Sequence, residues 1–220
     1  MIIRRHYRGC LKDSVFTEKE LERLLKADEK KIKDAVKKGR CLTVALYRYQ
    51  EMLFLYYEAL EEELVPDCLF PALSKQLELW PEKEGKKPWA FMYPIYYHAI
   101  PETEEEWERH GRKIRRGRIA YLLPDKLFSY TYYHEAIVEE GLLEGDQYQS
   151  IALHENVLFS YFEEPKIMTH IRKDKTGESK VIKDWLAVDP ESHFDHTLSG
   201  EGNFLFIKEV FSFGKEDLIK

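Results

Sequence analysis

Cysteine is scarce in this chain: Cys10, Cys41 and Cys68 are the only three in 220 residues. An odd number at spacings that match no metal-ligand pattern offers neither a disulfide framework nor a zinc site, so reduced structural thiols in a cytoplasm are expected. Long apolar runs are also missing. No stretch approaches the roughly 20 apolar residues that a membrane-spanning helix requires. The opening Met-Ile-Ile-Arg-Arg reaches charge at once, which predicts no secretory leader. There is no surplus of positive charge: 34 Lys and Arg stand against 40 Asp and Glu, a formal net charge of -6. That balance argues against a nucleic-acid partner. Gly-rich phosphate loops and nucleophile elbows are absent too.

What is present is aromatic and repetitive. Tyr alone occurs 14 times, a composition suited to well-packed sheets or to a ligand pocket. The segment Met52-Leu-Phe-Leu-Tyr-Tyr-Glu58 lies over Val157-Leu-Phe-Ser-Tyr-Phe-Glu163 at an offset of 105 (157 − 52), and the same offset carries Trp80 onto Trp185.

The order of elements around the two segments agrees. In the first half a strand over 2–11 precedes a helix whose start is marked by the capping box Thr17-Glu-Lys-Glu20. Leu21, Leu24, Leu25, Ile32, Ala35 and Val36 follow at helical spacing, and Gly39 closes the helix. A hairpin over 41–49 and 52–59, a second helix leading to Trp80, and a strand over 89–100 complete the unit. The second half repeats this as strand 118–123, helix 125–140 ended by Gly141, paired strands 147–153 and 157–163, helix 181–188 and strand 203–213. β-α-β-β-α-β twice is the ferredoxin-like order. The expected fold class is therefore α+β: tandem ferredoxin-like repeats, 1–101 and 118–220, packing as an intramolecular dimeric α/β barrel. A charged connector, 102–117, joins them. The basic run at its end follows Glu102 and Glu104 to Glu106 and reads as a solvated helix-loop.

The chemically informative segment runs from Pro124 to His134. With Asp125 as the expected cap, Tyr130 and His134 stand at i and i+4 on one helix face shared with Leu127 and Val138. That face points inward, and its polar residues are either satisfied core or the floor of a pocket.

Strand 118–123 with Pro124-Asp125, Tyr130 and His134, Tyr148, Val157 to Phe159, Trp185 and Ile207 to Phe211 occur in an order and spacing that resembles the L-rhamnose mutarotase family, over roughly residues 116–213. The resemblance implies a ferredoxin-like subunit that interconverts sugar anomers. It makes His134 the catalytic acid/base and places Tyr130, Tyr148 and Trp185 as substrate-binding residues around a monosaccharide. It implies no metal and no organic cofactor, and it permits a homodimer without requiring one. A His titrating near ~6.5 suits such proton exchange, and an indole suits the apolar face of a sugar. The chain departs from the family at the charged loop 173–180 and in carrying Asp184 before a single Trp185. In the first half the offset sets Glu29, Leu25 and Thr43 where the second has His134, Tyr130 and Tyr148, so that half reads as a structural partner.

Other signals are weaker. His193 and His196, with Asp189, Glu191 and Asp195, match no ligand spacing and sit in a loop between Pro190 and Gly200. His98 reads as a packed strand residue that could face the second-half site, and Tyr132 and Tyr133 as packing. Two alternatives to a mutarotase remain: a non-catalytic sugar-binding or regulatory module, and a haem-degrading or cofactor-free monooxygenase on the same barrel.

Overall fold

The computed structural model describes residues 1–12, 17–83, 85–111, 113–141, 143–171, 179–199 and 202–219. Its first elements are β1 (Ile2–Cys10), α1 (Glu18–Lys37), β2 (Cys41–Tyr49) and β3 (Met52–Leu60). Two single-turn helices follow, α2 (Pro66–Leu69) and α3 (Pro71–Ser74), then the small hairpin β4 (Trp80–Glu82) and β5 (Gly85–Lys87), and β6 (Ala90–Tyr97). Next come β7 (Ile114–Tyr121), a 3-10 turn at Pro124–Lys126, α4 (Leu127–Glu140), β8 (Leu143–Glu144), β9 (Ser150–His154) and β10 (Val157–Glu164). The chain ends with β11 (His170–Ile171), α5 (Lys180–Ala187), α6 (His196–Ser199) and β12 (Leu205–Gly214). Eight strands hydrogen-bond in the order β1-β3-β2-β12-β7-β10-β9-β6, which closes on itself as an antiparallel barrel in a mixed α+β fold. No helix among the described residues is long and apolar enough to cross a membrane.

The chain divides into two compact units. The first comprises Met1–Met92, Pro101–Lys113 and Ile207–Lys220. Its long helix starts where the sequence marks it: the Glu20 amide donates to Thr17 Oγ1 at 3.3 Å and the Thr17 amide to Glu20 Oε2 at 2.8 Å. The apolar stripe Leu21, Leu24, Leu25, Ile32, Ala35 and Val36 is buried in one cluster with Val44, Leu46, Leu53, Leu55 and Tyr57 of β2 and β3. The expected second helix is instead α2 and α3, because Pro66 and Pro71 each begin a new turn and neither can continue the turn before it. Buried Asp28 of α1 accepts from the Ala72 and Leu73 amides at 2.8 and 2.9 Å and so caps α3 from outside. Gly9 is needed for close approach, since a Cβ there would stand 2.9 Å from Leu77 and 3.1 Å from Trp89.

Along β1, Ile2, Arg4, His6 and Arg8 alternate onto a buried face. Arg4 pairs in register with Glu58 of β3, a fully buried carboxylate that receives two bonds from Arg109, at 2.7 and 2.8 Å. Tyr56 donates to the same carboxylate at 2.7 Å, and Arg4 donates to Tyr56 at 2.8 Å. Arg109 and the hydrogen bonds hold Glu58 ionised against the opposing effect of its burial, the largest single influence on it.

The second unit comprises Tyr93–Ile100 and Ile114–Phe206. Here β10 pairs with both β7 and β9, and residues 93–97 of β6 pair with β9. Its core gathers Ile95, Tyr96, Ala120, Leu122, Tyr130, Ile151, Leu158 and Phe194. Tyr161 donates to Glu163 at 2.6 Å, as Tyr56 does to Glu58 in the first unit, and Glu163 is in register with Arg115 as Glu58 is with Arg4. The expected Asp125 cap is not formed: the 3-10 turn starts the helix without a side-chain cap, and Ser179 caps α5. Most of the charged loop at 173–180, and Gly200, lie outside the described residues.

Candidate functional site

The site is built on α4 in the second unit. Tyr130 and His134 stand one turn apart, and Leu127 and Val138 pack with them against the unit's core. The two rings stack with centroids 3.9 Å apart at 22°. Trp185, from α5, sets its ring 5.4 Å from His134 and 5.8 Å from Tyr130, edge-on to each. Tyr96 of β6 approaches His134 edge-on at 6.2 Å, and its hydroxyl is 2.8 Å from His98 Nδ1. His98, expected as a packed strand residue, stands just past the end of β6 and meets Tyr96 in this contact.

His134 Nδ1 is 2.9 Å from the Tyr130 carbonyl oxygen. A carbonyl only accepts, so Nδ1 carries the hydrogen and Nε2 presents a lone pair. Burial pulls the imidazole down to about 4, assisted by His193 and opposed by the Tyr130 carbonyl bond. The ring is therefore neutral at physiological pH. Burial likewise raises Tyr130, against the nearby Arg118, and pushes Tyr96 up to about 12. The enclosure holds neutral aromatic groups around one fixed, hydrogen-bond-accepting nitrogen.

Tyr148 is buried just before β9, with its amide donating to Asp146 Oδ1 at 2.9 Å. The ring contacts join Tyr130, His134 and Trp185. Tyr133 reaches Trp185 at 5.3 Å, while Tyr132, expected to pack, is 65% exposed because it lies on the outer face of α4. Among the described residues no three or more His, Cys, Asp or Glu side chains gather as a metal-ligand group. His193 is buried, with Nε2 2.9 Å from Ser129 Oγ and its ring 4.7 Å from Trp185. Glu191 instead accepts from Asn203 at 3.0 Å, and Asp195 from the Thr197 hydroxyl at 2.6 Å.

Sequence reasoning missed Tyr96 and Arg118. Arg118 of β7 is half-buried, with Nε 3.3 Å from Ser160 Oγ on the neighbouring strand and its guanidinium 4.2 Å from the Phe204 ring centroid. No short motif marks these residues; strand pairing and burial bring them in.

No family model matches the chain, and no curated relative does. Among solved structures it is similar to a provisionally named monooxygenase from Lactobacillus acidophilus, at 8% identity and a TM-score of 0.44 over 97% of this chain and 96% of that one. A second provisionally named monooxygenase, from Fusobacterium nucleatum, gives 12% identity and a TM-score of 0.41 over 97% and 94%. An anthrone oxidase-like protein gives 9% and 0.35 over 98% and 97%. At these values the likeness carries no functional argument. None of these names is a rhamnose mutarotase, and the resemblance to that family is not upheld. With it go the isomerase and rhamnose expectations.

Proposed function

We propose that the chain is a monooxygenase that needs no organic cofactor and acts on a flat, electron-rich aromatic substrate, with His134 as proton acceptor. The observation that carries this reading is the neutral imidazole, fixed by its Nδ1–H on the Tyr130 carbonyl and enclosed by Tyr130, Tyr96 and Trp185. Aromatic faces suit a planar ring, and Nε2 suits an acidic O–H or benzylic C–H at its edge. Loss of a proton to His134 Nε2 would leave the substrate as the electron-rich anion that reduces dioxygen. In the balanced reaction, one benzylic methylene and one dioxygen give one ketone and one water. One oxygen atom becomes the carbonyl oxygen, and the other leaves as water with the two methylene hydrogens. Tyr148 takes the part of a further pocket residue in this reading. The fold that serves it is two tandem ferredoxin-like repeats, 1–101 and 118–220, supported by the matching Tyr56–Glu58 and Tyr161–Glu163 pairs.

The test is oxygen uptake with anthrone and a panel of hydroquinones. Wild type is expected to consume one dioxygen per anthrone, and His134→Leu to lose about 10²- to 10⁴-fold, the usual worth of a positioned base. No uptake above autoxidation across the panel sinks the proposal. Uptake that appears only after haem is added, together with a Soret band, replaces it by haem-dependent chemistry.

A further inference from the structure

We propose that Arg118 and Lys166 form an anion site in the second unit that binds the negatively charged oxygen of a flat aromatic ligand. Both cations lie against one ring: the Arg118 guanidinium is 5.3 Å and the Lys166 ammonium 4.9 Å from the Phe162 centroid. Phe204 covers Arg118 at 4.2 Å, and Phe206 extends the apolar surface 6.1 Å from Phe162. Neither cation has a carboxylate within ion-pairing distance among the described residues. The neutral Ser160 hydroxyl is the hydrogen-bond partner of Arg118.

Two like charges against one ring and partly out of water are unfavourable unless an anion offsets them. Burial lowers both groups; Arg118 lowers Lys166 further, and Asp146 offsets that only in part. Both side chains keep partial exposure, so a ligand can reach them. The Arg118 charge acts on the Tyr130 hydroxyl, lowering it against the effect of burial. A guanidinium and an ammonium against phenyl faces select a carboxylate or phenolate carried on a ring. The inference rests on the oxygenase reading only in taking that bound ring as the substrate.

Calorimetric titration at low salt with 1-naphthoate, 1-naphthalenemethanol and 1-naphthylmethylamine tests the site. The naphthoate is expected to bind about tenfold or more tighter than the neutral alcohol, and the amine more weakly than either. Arg118→Gln and Lys166→Gln are each expected to remove about tenfold of the naphthoate affinity while leaving that of the alcohol unchanged. If Arg118→Gln does not fold, Lys166→Gln, on a partly exposed segment, decides alone. Equal binding of acid and alcohol, no binding of either, or folded variants that keep the preference would overturn the proposal. The titration needs no turnover: a chain that binds naphthoate but consumes no oxygen fails the oxygenase reading alone, and one that oxidises neutral anthrone without preferring the acid fails this one alone.

Discussion

His134 owes its neutrality chiefly to burial, and that links the residue to the stability of the whole chain. Its folded value of about 4 lies below the ordinary 6.5, so below 6.5 the unfolded chain binds the extra proton and the folded chain does not. Stability is complete above about 6.5 and falls as the pH drops towards 4, by up to about 3 kcal/mol from this group. Urea unfolding at pH 7 and pH 4.5 is expected to show a smaller loss in His134→Phe than in wild type; an equal loss would assign the acid sensitivity elsewhere. Some sensitivity will remain, because buried His6 is also held well below its usual value. At this scale the sequence was readable where contacts are local. The i,i+4 spacing put Tyr130 and His134 together, whereas Tyr96 reaches His134 from a strand 38 positions upstream (134 − 96), a contact with no period in the sequence. Arg118 and Lys166 look like ordinary charges on paper, and only packing shows that they are partly desolvated.

Helices and turns carry their own signals, and these were read unevenly. The capping box of α1 is plain in Thr17 and Glu20 and is formed as expected. Both hairpin pairs are also legible, because β-rich apolar runs flank short turns there. The single helix expected before Trp80 is two short turns instead, because Pro66 and Pro71 each limit how far a turn can extend. Gly141 ends α4 at φ 63°, the left-handed region. A Cβ there would meet nothing within 4 Å, so the cost of Gly141→Ala is conformational alone. Chemical denaturation is expected to show a loss of about 1 kcal/mol, smaller for Gly141→Asn. No loss in the alanine variant would mean that the helix end relaxes.

The two compact units interleave along the chain. Residues 207–220 belong with the first unit and 93–100 with the second, so neither unit is one continuous stretch of chain. Separate expression of 1–113 and 114–220 is therefore expected to give no folded fragment: the first lacks the β12 partner of β2, and the second lacks the β6 partner of β9. Circular dichroism and cooperative melting of each piece check this, and a cooperative transition in either piece would refute it. A closed strand order is legible from the repeated element pattern, whereas this exchange of segments is not, since composition says nothing about which β-strand partners meet.

The pairing of β2 with β12 also sets a schedule for synthesis. β2 is buried along most of its length, and its Arg48 pairs with Lys208, 160 positions later (208 − 48). On the ribosome, at roughly 5–20 residues per second, that apolar edge waits on the order of ten seconds for its partner to be made. During that interval it is a sticky template for other nascent chains, so the longer β2 waits for β12 the lower the yield of folded protein.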